Sequence, residues 1–336
     1  MTSPLTLNVV FTGWTLDVPG VLAVLLLGGA YLAGVRRVSR RTTEPVTEPG
    51  GAAETTPSWP RSRIVAFGVG LLLIFLVTCS FVDRYDDVLF WARATQVIVL
   101  LMVVPLCLAM SSPVALALGA LSDRGRDRLT AVLSTGIARV LTFPATASLL
   151  LVATPWALYF TGWYPAVLAN GVVDQLTRLV LLLVGFLYFY SRLQLDPVPH
   201  KYPHLISVVI TFVEVIFDAA LGLVLWLSPH LVAEAHYQAL HRTWGPSLHD
   251  DQIFGAGVLW LVGDLAGLPF LGALMSRMVT DDRAEAAEID RHLDEQDELA
   301  AHDAEISAEL GEPAAPHRMW WEDDPVLAER FRPRDH

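Results

Sequence analysis

Apolar residues in this chain come in blocks too long for the helices of a soluble domain, and polar residues gather between the blocks. Seven blocks run near Val18–Val35, Ile64–Val82, Val88–Met110, Val140–Trp163, Leu176–Leu193, Leu205–Leu227 and Ile253–Met275. Each is close to the ~20 residues that carry a helix across a bilayer. The pattern predicts an all-α polytopic membrane protein with seven transmembrane helices.

Basic residues set the expected orientation. Arg36, Arg37, Arg40 and Arg41 follow the first block, Arg61 and Arg63 precede the second, and Arg124, Arg126, Arg128 and Arg139 lie between the third and fourth. The opposite segments carry Arg84 and Arg242. Loops rich in arginine stay in the cytoplasm, so the N-terminus is expected outside and the C-terminus in the cytoplasm, in a cell inner (plasma) membrane. Trp91, Trp156, Tyr159, Trp163, Tyr164, Tyr188 and Tyr190 near the block ends suit interfacial anchors. The first seventeen residues hold no Lys or Arg, which argues against a secretory signal and for a retained N-terminus.

The expected organisation has four parts. Residues 1–41 hold an N-terminal segment and the first helix. Residues 42–60, rich in Pro, Gly, Thr and Glu, read as a disordered cytoplasmic linker. Residues 61–278 form a six-helix membrane core. Residues 279–336 form an acidic tail whose stretch 281–310 lacks Pro and Gly and suits a solvated helix. The net charge of −12 sits in that tail and says little about the body. Trp320 and Trp321 in the tail either dock a partner or fold back on the protein's own cytoplasmic face. The two cysteines, Cys79 and Cys107, lie in apolar blocks at opposite expected depths, so neither a disulfide framework nor a shared metal site is expected.

Charge inside the blocks carries the functional question. Arg93 and Gln96 sit one turn apart, Asp174 and Arg178 share a face at i,i+4, as do Glu214 and Asp218, and Asp264 lies between Gly263 and Gly267. A charged group in lipid costs roughly 2.5–3.5 kcal/mol on insertion scales. The economical arrangement is one interior cluster in which Arg93 and Arg178 pair with Asp174, Asp218 or Asp264. Snorkelling of Arg93 to the outer headgroups is the alternative. Such a cluster either fixes helix packing or forms an ion path.

These segments resemble CtaG-type cytochrome c oxidase assembly proteins, seven-helix membrane proteins linked to copper loading of the oxidase. The resemblance covers about residues 85–295 and is carried by 96–118, 185–203, 211–225, 244–271 and 281–295. Its most specific parts are the Trp244-Gly245-Pro246 loop, the Asp250-Asp251-Gln252 turn, Gly263–Asp264 and Asp281–Ala284. The resemblance implies histidines on the third, fifth and sixth helices. Here those positions read Arg93 and Val97, with the glutamine of the third-helix pattern kept as Gln96, then Asp174 and Arg178, then Asp218. Guanidinium is no metal ligand, so the chain reads as a divergent member whose intramembrane metal site has become a set of salt bridges. Copper enters only through the resemblance. Elsewhere His236, His241 and His249, with His230 nearby, either bind a divalent metal or belong to a short surface helix.

The expected function is an assembly or accessory factor for a haem-copper cytochrome c oxidase, working through contacts with oxidase subunits or assembly proteins in the bilayer. The alternative is a small-ion or solute transporter using the intramembrane acids. The sequence offers no nucleophile–base constellation, no HExxH, no P-loop and no dinucleotide fingerprint, so it is not read as an enzyme. No histidine falls in a predicted crossing to ligate haem, and the basic clusters flank helices rather than form a nucleic-acid surface.

Overall fold

The computed structural model describes residues 4–42, 59–193 and 204–309, with some side chains within the helices left undescribed. Most of the expected linker (43–58), residues 194–203, and the tail from 310 with Trp320 and Trp321 lie outside the described residues. The elements are α1 (Leu7–Thr12), α2 (Val18–Thr42), α3 (Arg61–Cys79), α4 (Phe81–Tyr85), α5 (Phe90–Ile98), a π-helical turn (Val99–Val103), α6 (Val104–Met110) and α7 (Pro113–Ala120). They continue as α8 (Asp123–Leu133), α9 (Gly136–Leu141), α10 (Pro144–Phe160), α11 (Trp163–Ala169), α12 (Gly171–Leu193), α13 (His204–Leu227), α14 (Glu234–Ala239) and α15 (Leu248–Glu309). Among the described residues there is no strand.

Among the described residues, four segments are long and apolar enough to cross a membrane: Val18–Arg40, Arg61–Tyr85, Phe90–Met110 and Gly171–Leu193. The pair Pro144–Phe160 and Trp163–Ala169, bent by 68°, makes a fifth if it is one span. The expected fourth crossing, Val140–Trp163, is thus corrected: Val140 belongs to α9, Trp163 begins α11, and prolines at 144 and 165 mark the two breaks. Leu205–Leu227 and Ile253–Met275 are helical within α13 and α15, and many of their side chains are among those not described.

Local chemistry explains the interruptions. Ser80 is extended (φ −96, ψ −169), which ends α3, and its Oγ accepts from the Val82 N–H at 3.2 Å to cap α4. In the third block the π turn lies just before Pro105. Pro105 has no N–H for the Leu101 carbonyl one turn earlier, and the wider turn absorbs the mismatch. Gly185 of α12 packs on that spot. A Cβ there would overlap the Leu101 carbonyl oxygen and lie 2.7 Å from Pro105 Cγ, so only glycine permits the approach.

The chain divides into two compact units, Met1–Met275 and Ser276–His336. The first holds a core built around α3, the α5–α6 helix and α12, with Leu101, Val104, Leu158, Leu181 and Phe189 buried in it. In the second, the described helix is solvated, with local pairs Arg291–Glu288 (3.8 Å) and His292–Glu295 (3.6 Å) more than half exposed.

Candidate functional site

Five short stretches bring charge together at one end of α5 and α12. Asp17 immediately precedes α2, Asp83 lies on α4, Asp86 follows α4, Arg93 is on the first turn of α5, and Asp174 and Arg178 are on the first two turns of α12. The i,i+4 spacing on α12 joins Asp174 and Arg178 at 2.7 Å, and Asp174 also sits at the positive end of that helix.

Arg93 spans two carboxylates. Its guanidinium pairs with Asp86 at 3.1 Å and with Asp174, and donates to Gln96 Oε1 at 2.9 Å and to the Asp86 carbonyl at 3.3 Å. The Gln96 amide in turn donates to the Val77 carbonyl at 2.9 Å, which ties the group to α3. Arg178 serves four carboxylates: Asp83 at 2.7 Å, Asp86 at 3.0 Å, Asp174 at 2.7 Å and Asp17 at 3.6 Å. Thr15 donates to Asp83 at 2.8 Å, and Gln175 and the Gly20 N–H donate to Asp17 at 3.0 Å each. Both arginines are buried, with side chains 6% and 11% exposed.

Four carboxylates around two guanidiniums leave an excess of negative charge when all are ionised. Burial pushes the Asp86 carboxyl up to about 7 from its ordinary 3.8, against the pull of Arg93 and Arg178. Burial also raises Asp17, which lies beside Asp83.

The sequence-predicted residues do not all meet. Arg93, Gln96, Asp174 and Arg178 are together, but no ion pair joins Glu214, Asp218 or Asp264 to either arginine among the described residues. That part of the single-cluster expectation is corrected. Glu214 is buried and accepts instead from Tyr188 Oη at 2.8 Å and from Arg192 at 3.4 Å. Asp218 lines a cavity of about 30 Å³ with Val97, Leu101, Leu151 and Pro155, and Asp264 is exposed on α15. Asp17, Asp83 and Asp86 take the places expected of those acids. Sequence reading missed them because they lie at block ends, where an acid needs no partner; the three acids in "VDRYDD" were the available signal.

The predicted outer-loop motif forms a second clasp. Asp251 accepts from the backbone N–H of Phe90 (3.2 Å) and Trp91 (3.1 Å), capping from another helix the start of α5, which has no side-chain cap of its own. Arg242 pairs with Asp251 at 3.2 Å, donates to the Pro246 carbonyl at 2.8 Å, and lies over the Trp244 ring. Gly245 turns the loop at φ +78, and Trp244 meets Tyr85 edge to face at 5.7 Å. Asp250 accepts from Ser247 Oγ at 2.6 Å. Gln252 is buried and ties α15 to α13, accepting from Val232 N–H at 2.8 Å and donating to the carbonyls of Leu225 and His230. The clasp and the ion-pair cluster both hold the start of α5.

His236 contacts the Asp87 carbonyl at 2.9 Å on the short helix α14, His241 sits in a positive-φ turn, and His249 is exposed on α15. Among the described residues no three or more His, Cys, Asp or Glu side chains are grouped so as to hold a metal ion. At Arg93 and Arg178 the donor set does not fit copper, because guanidinium nitrogens have no lone pair to give and the neighbouring carboxylates are engaged by them.

The family model described as "Cytochrome c oxidase caa3 assembly factor" matches residues 29–281. A protein of Mycobacterium leprae is 28% identical over 304 residues, covering 88% of this chain and 44% of its own length. Proteins of Mycobacterium bovis and Mycobacterium tuberculosis are 28% identical over 311 residues, covering 90% of this chain and 45% of theirs. All three relatives are themselves uncharacterized proteins. The chain thus spans less than half the length of these curated relatives. No solved structure matches.

Proposed function

The chain belongs to the cytochrome c oxidase caa3 assembly factor family, and from that premise we propose that it assists assembly of a haem-copper cytochrome c oxidase from within the plasma membrane, by protein contacts rather than catalysis. The family match carries the reading. The ion-pair cluster supports the second half of it: where the family resemblance implies histidines, this chain has Arg93, Asp174 and Arg178 bound to one another. Copper does not act at that position, and the cluster's work is to fix the geometry of α2, α4, α5 and α12. Removing one partner of such a buried pair costs about 3–5 kcal/mol, so the cluster holds that face of the bundle in one arrangement for a partner to recognise. The proposed topology is seven spans with the N-terminus outside, which puts the cluster and the Trp244 clasp at the outer face and the arginine-rich loops in the cytoplasm.

Co-purification tests this directly. Tagged protein extracted in mild detergent should retain oxidase subunits and carry no stoichiometric copper. A preparation that holds one copper per chain, lost on changing Arg93 or Asp174, would overturn the metal-free reading. One that retains no oxidase subunit after crosslinking in intact membranes would overturn the contact reading.

A further inference from the structure

Helices α2 and α3 run antiparallel. Gly20 lies against Thr78, Gly28 against Leu71, and the Tyr31 and Phe67 rings stack at 3.8 Å. Helix α7 runs alongside α2, with Gly34 against Leu116 and Gly119 against Val38. Between these three helices lies an open groove of about 430 Å³ whose walls are apolar, formed by Leu27, Tyr31, Gly34, Phe67, Leu116 and Ala117.

One end of the groove is basic. Arg37 of α2 lines it. The antiparallel pairing brings the start of α3 to the same end, where Arg63 lies over the Trp59 ring at 4.8 Å. Trp59 Nε1 donates to Tyr31 Oη at 3.1 Å, and Tyr31 is a wall of the groove. Arg63 and Phe67 are one turn apart on α3, so they share a face. Among the described residues, no carboxylate pairs with Arg36, Arg37, Arg40, Arg61 or Arg63. Arginines flanking a span act as topology signals, but that role needs no groove beneath them. A buried interior network consumes its counter-charges, as Arg93 and Arg178 do. Among the described residues this rim has no counter-charge, and it borders an apolar slot.

We infer that the groove between α2, α3 and α7 is a binding site for an anionic phospholipid, with an acyl chain along the apolar walls and the phosphate at Arg37 and Arg63. Charge complementarity selects the occupant: an apolar slot suits any acyl chain, and guanidiniums with no carboxylate partner among the described residues select a lipid of net negative charge over a zwitterionic one. The inference is independent of the assembly reading, since it concerns lipid preference and not the oxidase.

The test is lipid retention by the purified full-length chain. Protein reconstituted in nanodiscs of equimolar phosphatidylglycerol and phosphatidylcholine is ejected into the gas phase, and the lipids it retains are counted by native mass spectrometry. The wild type should retain phosphatidylglycerol in preference. Each arginine near a membrane surface is worth about fivefold in binding an anionic lipid, so R37Q/R63Q should lower the preference about twenty-five-fold. Both side chains lie outside the core, so folding should persist, checked by circular dichroism. Ala117→Phe, which fills the slot while leaving the rim intact, should also reduce retention. Equal retention of both lipids by the wild type, marking an annular shell only, would overturn the site. So would a preference unchanged in R37Q/R63Q. Inorganic phosphate at matched concentration should not raise the melting temperature as phosphatidylglycerol does; equal stabilisation by both would overturn the acyl-chain half of the inference.

Discussion

Replacing Arg93 by Met keeps the length and removes the charge. In the wild type its guanidinium bonds Asp86, Asp174, Gln96 and the Asp86 carbonyl, with the side chain only 6% exposed. An exposed pair would be worth at most about 1 kcal/mol. A buried one that loses its partner leaves uncompensated charge behind, and the expected loss is about 3–5 kcal/mol. Arg178 remains beside Asp86 and Asp174 in the variant, so the lower half of that range applies. Arg93→Lys should fall between wild type and Met, because one ammonium cannot match a planar fork across two carboxylates. The assay is sodium dodecyl sulfate unfolding in mixed micelles, read by circular dichroism. A double-mutant cycle with Asp174→Asn isolates the pair and should give a coupling of roughly 1–3 kcal/mol. A loss under about 1 kcal/mol, the ceiling for an exposed pair, with additive single and double variants would refute the argument that buried pairing holds this end of the bundle.

Further outcomes follow from the same geometry. Gly185→Ala should cost about 1–3 kcal/mol by overpacking, since its Cβ would strike the Leu101 carbonyl at the π turn; the same unfolding assay checks it. Asp251→Ala should cost about 1–3 kcal/mol by uncapping α5 and stranding Arg242, and faster hydrogen exchange at Phe90 and Trp91 should accompany it. For pH, the Asp86 carboxyl is raised in the folded state from 3.8 to about 7, so the fold binds that proton more tightly than the unfolded chain. Its stabilising contribution is full below about 4 and is lost as pH rises through about 7. The raised Asp17 and Asp251 carboxyls act in the same sense. Asp86→Asn should flatten that part of the stability profile.

The helices and the Asp174–Arg178 pair were legible because both are local. Block length predicts a span and i,i+4 spacing predicts a shared face. The partners of Arg93 were only partly legible. Asp174 could be named because it shares a helix face with Arg178 at i,i+4. Asp83 and Asp86 could not, because their position depends on how Ser80 breaks the chain between α3 and α4. Glu214 and Asp218 looked equivalent at i,i+4. Packing separates them: Glu214 finds Tyr188 and Arg192, while Asp218 faces the small cavity by Pro155. The role of Asp251 as a cap on α5 spans 160 residues of sequence, and nothing local announces it.

The proposal stands or falls most directly on a gene deletion read by the haem a absorbance band of isolated membranes. The account predicts that the band falls in the deletant and returns when the wild-type chain is supplied, and that it returns only weakly with Arg93→Met at matched expression. An unchanged band and unchanged oxidase activity in the deletant would contradict it.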